Sequence, residues 1–172
     1  RQMCIETVTF IISQRKSIPA IRTAVEQLAR CCGDSRCAEG DEVFLFPTPE
    51  QLCGLTEAQL TGWGLGYRTR YIQHAAAQAA ARTLDLNALA VLPDNALFSR
   101  LLTLDGVGKK VANCVCLFGY GRTAMAPIDV WIQRLIDEEF GGRDPFPAYG
   151  QQAGIVQQYL FYYKRSISTQ KK

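Results

Sequence analysis

Apolar residues recur along this chain at three- and four-residue intervals and hardly ever alternate with polar ones. That pattern predicts helices almost throughout, with strand content close to none. The first helix runs to about Ser13. In the second, Ile18, Ile21, Val25 and Leu28 share one face, Ser17 is in the N-cap position, and the helix stops near Gly33. Residues 33–47 form a loop rich in glycine and charge, in which Val43-Phe-Leu-Phe46 has the makings of a short extended piece. Thr48-Pro-Glu-Gln51 combines an N-cap, a first-turn proline and a capping-box glutamine, and Thr56-Glu-Ala-Gln59 repeats the cap and the glutamine. Two short helices therefore follow each other. Gly62, Gly64 and Gly66 then punctuate a turn before an alanine-rich helix from Tyr67 to about Arg82. Pro93-Asp94 opens a helix leading to Leu102, and another helix runs from Lys109 to about Phe118. Asp129 stands as N-cap before Val130–Ile136, and the last helix spans roughly Ala148 to Arg165. The tail Ser166–Lys172 is polar and expected to fray.

The richest stretch lies between two of these helices: Leu101-Leu-Thr-Leu-Asp-Gly-Val-Gly-Lys-Lys-Val-Ala112. Gly106 and Gly108 allow a sharp turn and close approach to another molecule. The amides that open the following helix lack partners within it, which suits a phosphate of a nucleic acid. A lysine in that first turn faces the positive end of the helix dipole and is poorly placed for stability. Lys109 and Lys110 therefore call for a functional reason: both can contact phosphate, and Lys110 can serve as an amine nucleophile. The helix terminus, the neighbouring charge and partial burial would each disfavour a charged amine. Asp129 is a good helix cap, and its second oxygen is free to face a centre that develops positive charge.

Composition narrows the setting. At 172 residues the chain can bury a core as one domain or two small lobes. A net charge of +3 permits nucleic-acid binding without demanding it. No apolar run is long enough for a membrane span, and no signal-peptide layout opens the chain. Seven cysteines, an odd number, read as reduced thiols. Cys31, Cys32 and Cys37 do not make a C-x-x-C pair, and the only histidine, His74, is remote in sequence and reads as a surface residue, so a metal site is not expected. No four-cysteine iron–sulfur run follows the hairpin. The chain starts at Arg1 and enters an apolar segment at once, which reads as a fragment of something longer.

Leu104-Asp-Gly-Val-Gly-Lys-Lys110, with Pro127-Ile-Asp-Val130 placing Asp129 nineteen residues after Lys110, resembles the helix-hairpin-helix DNA glycosylases. Within that superfamily the chain is most similar to the 8-oxoguanine glycosylase/AP lyases of bacterial type. The segments Ile11-Ile-Ser-Gln14 with Ile18-Pro19, Gly64-Leu-Gly-Tyr-Arg-Thr-Arg-Tyr71 and Ala153-Gly-Ile-Val-Gln-Gln-Tyr-Leu-Phe161 carry the narrower match in the expected order.

The resemblance implies an all-α, two-lobed helical bundle over residues 1–172, its hairpin motif at about 94–118, without the N-terminal β-rich domain of many members. It implies Lys110 as the nucleophile at sugar C1′ and Asp129 as the carboxylate that supports glycosidic cleavage. Gly106, Gly108 and Val111 fall where backbone amides hold a phosphate, with Lys109 beside them. Tyr67 falls on a wedge near the vacated stack, and Arg68 on a neighbour of the orphaned base. Gln157 reads the base edge, Phe161 stacks on the flipped base, Cys114 lines the opposite face and Trp131 walls the pocket or fills the core. The expected partner is duplex DNA with a damaged base, met by a monomer without a membrane, in a bacterial cytoplasm at the nucleoid or in a nucleus. No cofactor is required; a monovalent cation on the hairpin carbonyls is the one group the resemblance admits.

The match has departures. Arg15, Lys16 and Ser17 stand where an asparagine run commonly fills the gap left by the flipped base, and Arg15 would fill it with positive charge. Ala20 stands where animal members read the opposite cytosine with arginine. Two other readings stay open: a monofunctional alkylated-base glycosylase, which needs Asp129 but no lysine at 110, and a non-catalytic hairpin module, which needs neither Asp129 nor Gln157 and Phe161.

Overall fold

The computed structural model describes residues 2–170. The chain divides into two compact units, Arg1–Val107 and Gly108–Lys172.

Among the described residues the first unit holds seven helices: α1 (Gln2–Ser13), α2 (Ile18–Cys32), α3 (Pro49–Cys53), α4 (Glu57–Gly62), α5 (Arg68–Ala80), α6 (Leu86–Leu89) and α7 (Asp94–Leu101). Local chemistry sets their starts. Ser17 caps α2 by accepting from the Ala20 amide, while Thr48 and Thr56 form capping boxes with Gln51 and Gln59. Val8, Ile11, Ile12, Leu28, Leu52, Leu60, Leu65, Ile72, Leu97 and Leu101 are buried in this unit. α5 packs against α1, α3 and α4, so its alanine-rich sequence serves close approach to several neighbours. α6 was not expected; Asp85 caps it through the amides of Asn87 and Ala88.

The expectation of almost no strand needs a correction. Ser35–Ala38 (β1) and Asp41–Phe44 (β2) form an antiparallel ribbon, with Ser35 opposite Phe44 and Ala38 opposite Asp41. Glu39 and Gly40 turn the chain with φ of 53° and 89°. Two successive positive φ values match the twist of a two-residue hairpin. The ribbon is largely exposed, so it lacks the alternating burial that betrays a strand in sequence.

The second unit contains α8 (Lys109–Cys114), α9 (Val130–Glu139) and α10 (Ala153–Gln170). α8 widens into a π-helical turn over Val115–Gly119, where the Tyr120 amide reaches back to the Val115 carbonyl. The expected last helix begins later than position 148: Phe146–Gln152 is a 3-10 segment, and Gly150 within it takes φ 50° and ψ −122°, which no α-helix allows. Beyond Arg165 the helix continues to Gln170 instead of fraying at Ser166; Lys171 and Lys172 lie outside the described residues. Ile132, Ile136, Phe146 and Ala153 form the core here, and Ala126, Ile128, Leu160 and Phe161 pack against it. Lys164 of α10 pairs with Glu138 of α9, fixing the two helices in register.

Candidate active site in the second unit

α8 opens at Gly108, which has extended backbone (φ −89°, ψ 178°) and provides no side-chain cap for the amides that follow. Lys109 is exposed and Lys110 half-buried, because Val111, Ala112 and Cys114 take the core side of the helix. Lys110 and Cys114 lie one turn apart and meet on one face.

Asp129 is built into the start of α9. Its Oδ1 accepts from the amides of Trp131 and Ile132, both at 2.9 Å. This is the cap that the sequence predicts, and it commits one carboxylate oxygen while fixing the direction of the other. The Cys114 thiol registers all of these neighbours. Burial pushes its pKa up from 9.0, the Lys110 charge and hydrogen bond pull it down, and the Asp129 charge pushes it up again. Lys110, Cys114 and Asp129 therefore share one electrostatic environment, although they are separated along the chain.

A thiol whose pKa is raised in the folded state costs the fold stability once the unfolded thiol begins to ionise, because only the unfolded chain gains from that ionisation. The Cys114 contribution to stability is thus complete below pH 9.0 and lost as pH rises through the higher folded value. A thiol reagent at pH 8 should label the exposed Cys31, Cys37 and Cys53 in the folded protein and spare Cys114 until denaturant is added. Peptide mapping of labelled protein checks this, and early labelling of Cys114 would contradict its buried placement.

α10 supplies the other predicted pocket residues. Gln157 is buried to 2% exposure, an unusual place for a primary amide, and its Oε1 accepts from Gln158 Nε2. Phe161, one turn on, packs one edge on the core of this unit and stays half-exposed. The Arg165 guanidinium lies over its ring, 5.6 Å from the centroid. Trp131 is half-buried and carries Arg134 over its ring at 5.5 Å.

The remaining predicted residues belong to the first unit. Arg15 is exposed and adopts φ 51° at the end of α1. Tyr67 is 52% exposed and stacks with the Arg68 guanidinium at 4.4 Å. Arg68 itself is not the solvated arginine that its type suggests. It is 7% exposed, its Nε donates to the Gln14 carbonyl at 3.0 Å and its Nη1 to the Leu65 carbonyl at 3.3 Å. Its charge is used to terminate α1 against α5. Gly106 has φ 77° and faces the Tyr71 ring, where a β-carbon would come within 2.3 Å of Cδ2. Gln14 and Tyr71 carry the family match in sequence without a role of their own, and the Asp105 partner of His74 has no local signal; the fold brings Gln14 and Tyr71 to Gly106 and His74 to Asp105.

Among the described residues no group of three or more histidine, cysteine or acidic side chains is arranged for a metal ion, and no helix is long and apolar enough to cross a membrane.

A family model described as HhH-GPD superfamily base excision DNA repair protein matches residues 8–149. A protein named probable N-glycosylase/DNA lyase from Methanothermobacter thermautotrophicus is 28% identical over 92% of this chain and 59% of its own length. The structure of MBOgg1 in complex with a low-affinity DNA ligand superposes with a TM-score of 0.89 at 32% identity, over 96% of this chain and 61% of that one. The Clostridium acetobutylicum 8-oxoguanine glycosylase/lyase, in complex with duplex DNA containing cytosine opposite 8-oxoguanine, gives 0.87 at 27% identity, over 95% and 60%. The chain thus spans about three fifths of the length of these relatives. With its family match extending from the buried face of α1 to the approach to α10, the chain belongs to the HhH-GPD superfamily of base excision DNA repair proteins.

Proposed function

We propose that this chain is the catalytic helical part of a bifunctional DNA glycosylase and AP lyase that removes 8-oxoguanine from duplex DNA. The observation that carries the reading is geometric: within one unit, Lys110 is half-buried one turn before Cys114 on α8, Asp129 is held by the Trp131 and Ile132 amides at 2.9 Å, and Gln157 is buried to 2% exposure on α10. The relatives named above, an N-glycosylase/DNA lyase and an 8-oxoguanine glycosylase/lyase, favour the lyase over a monofunctional enzyme.

The target nucleotide leaves the stack at a cost of roughly a few kcal/mol. Its base lies between Phe161 and the Cys114 side, with Gln157 on its edge. The Lys110 amine attacks C1′, the glycosidic bond breaks, and the departing base takes up a proton. Asp129 offsets the positive charge that develops on the sugar. Opening of the sugar ring leaves an imine on Lys110. β-Elimination then breaks the bond from C3′ to its phosphate, and water releases the product from the enzyme. Backbone amides are the phosphate contacts in this reading: that of Gly106 on the first unit, and those of Gly108 and Val111, with Lys109 beside them, on the second. On the first unit Arg15 and Tyr67 are DNA contacts in this reading, and on the second Trp131 flanks the pocket. Arg68 acts from behind this surface, through Tyr67 and Gln14. The enzyme works as a monomer on chromosomal DNA, at the nucleoid or in a nucleus. The Gly106 carbonyl accepts from Gln14 Nε2 and keeps a second lone pair, which suits a monovalent cation at the hairpin. Exchange of potassium for choline at constant ionic strength tests that cation.

Borohydride reduces an imine to a stable amine, so it joins a lyase covalently to its substrate. Wild-type protein should be trapped on duplex DNA containing 8-oxoguanine opposite cytosine. Lys110→Gln should abolish trapping and keep DNA affinity within about threefold, since position 110 adds at most one phosphate contact. Equal trapping of that variant overturns the assignment of Lys110. Release of methylated bases without any trapping favours the monofunctional reading instead.

A further inference from the structure

Within the first unit, side chains from two helices hold the turn that leads to Gly108. Gln14, at the end of α1, donates Nε2 to the Gly106 carbonyl at 2.9 Å. The Tyr71 ring of α5 lies so close to Gly106 that no side chain fits there. His74, three residues further along α5, places Nδ1 2.5 Å from Oδ2 of Asp105. His74 and Tyr71 therefore grip adjacent residues of the turn from one helix face.

The Asp105 carboxylate is out of keeping with its surroundings. It immediately precedes the glycine turn and the Lys109–Lys110 pair, a stretch otherwise suited to an anion. Asp105 and His74 are each 48% exposed, so the carboxylate stays within reach of an approaching phosphate unless it is held. Arg100, the cation near the end of α7, is directed elsewhere, to the Thr83 carbonyl at 3.1 Å and to Thr103 Oγ1 at 3.4 Å. Like charges brought together on binding oppose association, and the opposition is screened by salt.

We propose that His74 is a positioning residue for DNA recognition: it draws the Asp105 carboxylate onto α5, so that the turn presents amides and lysines to the phosphate. The inference rests on the reading of the hairpin as the DNA grip. It assigns His74 a task that its half-exposed place on α5 does not suggest. A purely structural brace and a charge guard differ in one respect. When the guard is lost, removal of the guarded charge restores binding.

The test is fluorescence anisotropy of the protein on a duplex carrying a stable abasic-site analogue, at low and at high salt. His74→Ala should weaken binding about tenfold at low salt and distinctly less at high salt. His74→Asn, whose side-chain amide can approach the position of Nδ1, should keep most of the affinity. Asp105→Asn should bind at least as well as wild type. The double variant His74→Ala/Asp105→Asn should recover wild-type affinity. Thermal melts of each variant separate folding loss from binding loss. Wild-type affinity in His74→Ala, or equal weakness of the single and double variants, overturns the inference while the hairpin grip stands. A wild type with no affinity for the duplex overturns the grip and the inference together.

Discussion

Asp129→Asn is expected to melt within about 2 °C of wild type and to lose about 10²–10³-fold in single-turnover release of 8-oxoguanine. The two halves of this prediction come from the two oxygens of one side chain. Oδ1 accepts from the Trp131 and Ile132 amides, both at 2.9 Å. An asparagine carbonyl can accept from the same two donors, so the start of α9 keeps its cap. The negative charge, which at present reaches the Cys114 thiol, is lost. No neutral amide replaces it beside a sugar that becomes cationic as the glycosidic bond breaks. Asp129→Ala removes both charge and cap, and should lose activity to the same degree and also about 1 kcal/mol of stability, or about 2–4 °C in Tm. Melting curves and single-turnover assays on the two variants separate the roles. An asparagine variant that melts as low as the alanine one contradicts the cap account. A fully active asparagine variant contradicts the electrostatic one.

The same residue shows why part of this molecule is legible in its sequence. A cap is a bond between a side chain and an amide two or three residues away, so Ser17, Thr48, Thr56 and Asp129 announce their helices without knowledge of the fold. The amphipathic spacing of α2 works in the same way. Long-range partners leave no such trace. Arg68 looks like a surface arginine until the end of α1 is brought to it, and the link between Arg68 and Gln14 spans 54 positions. The π-helical turn after Cys114 depends on a single backbone bond pattern that no residue type demands. Lys110, Asp129, Gln157 and Phe161 were nameable because their spacing follows a shared family pattern. That their unit places Lys110 and Asp129 in the field of one buried thiol is a statement about packing, and only coordinates carry it. His74 was invisible as anything but a polar helix residue, since its partner Asp105 lies 31 positions away.

Gly154→Ala should be the most damaging methyl group that can be added to the second unit. Gly154 lies in the first turn of α10, where alanine would ordinarily favour the helix by about 1 kcal/mol. Its surroundings reverse that sign. A β-carbon there would meet the Met125 carbonyl oxygen at 2.4 Å, Leu117 Cδ1 at 2.8 Å and the Thr123 carbonyl oxygen at 2.9 Å. Leu117 can rotate, but the two carbonyls belong to the backbone. One of them already accepts the Gly154 amide at 2.8 Å. That backbone continues through Pro127 and Ile128 into Asp129, so relief of the clash moves the loop carrying the carboxylate away from the helix carrying Gln157 and Phe161. A net loss of about 1–3 kcal/mol is expected, or roughly 2–12 °C in Tm. The turnover rate should fall even at temperatures where the variant is fully folded. Gly62→Ala is the matched control, because a β-carbon at Gly62 meets nothing within 4 Å. It should be neutral, or more stable by about 0.4–1 kcal/mol, and fully active. If the two variants melt alike, the close approach of α10 to the 123–125 backbone is not what holds the carboxylate in place. If Gly154→Ala melts early but keeps the wild-type rate when folded, the loop adapts without moving Asp129, and the coupling between this packing contact and catalysis is refuted.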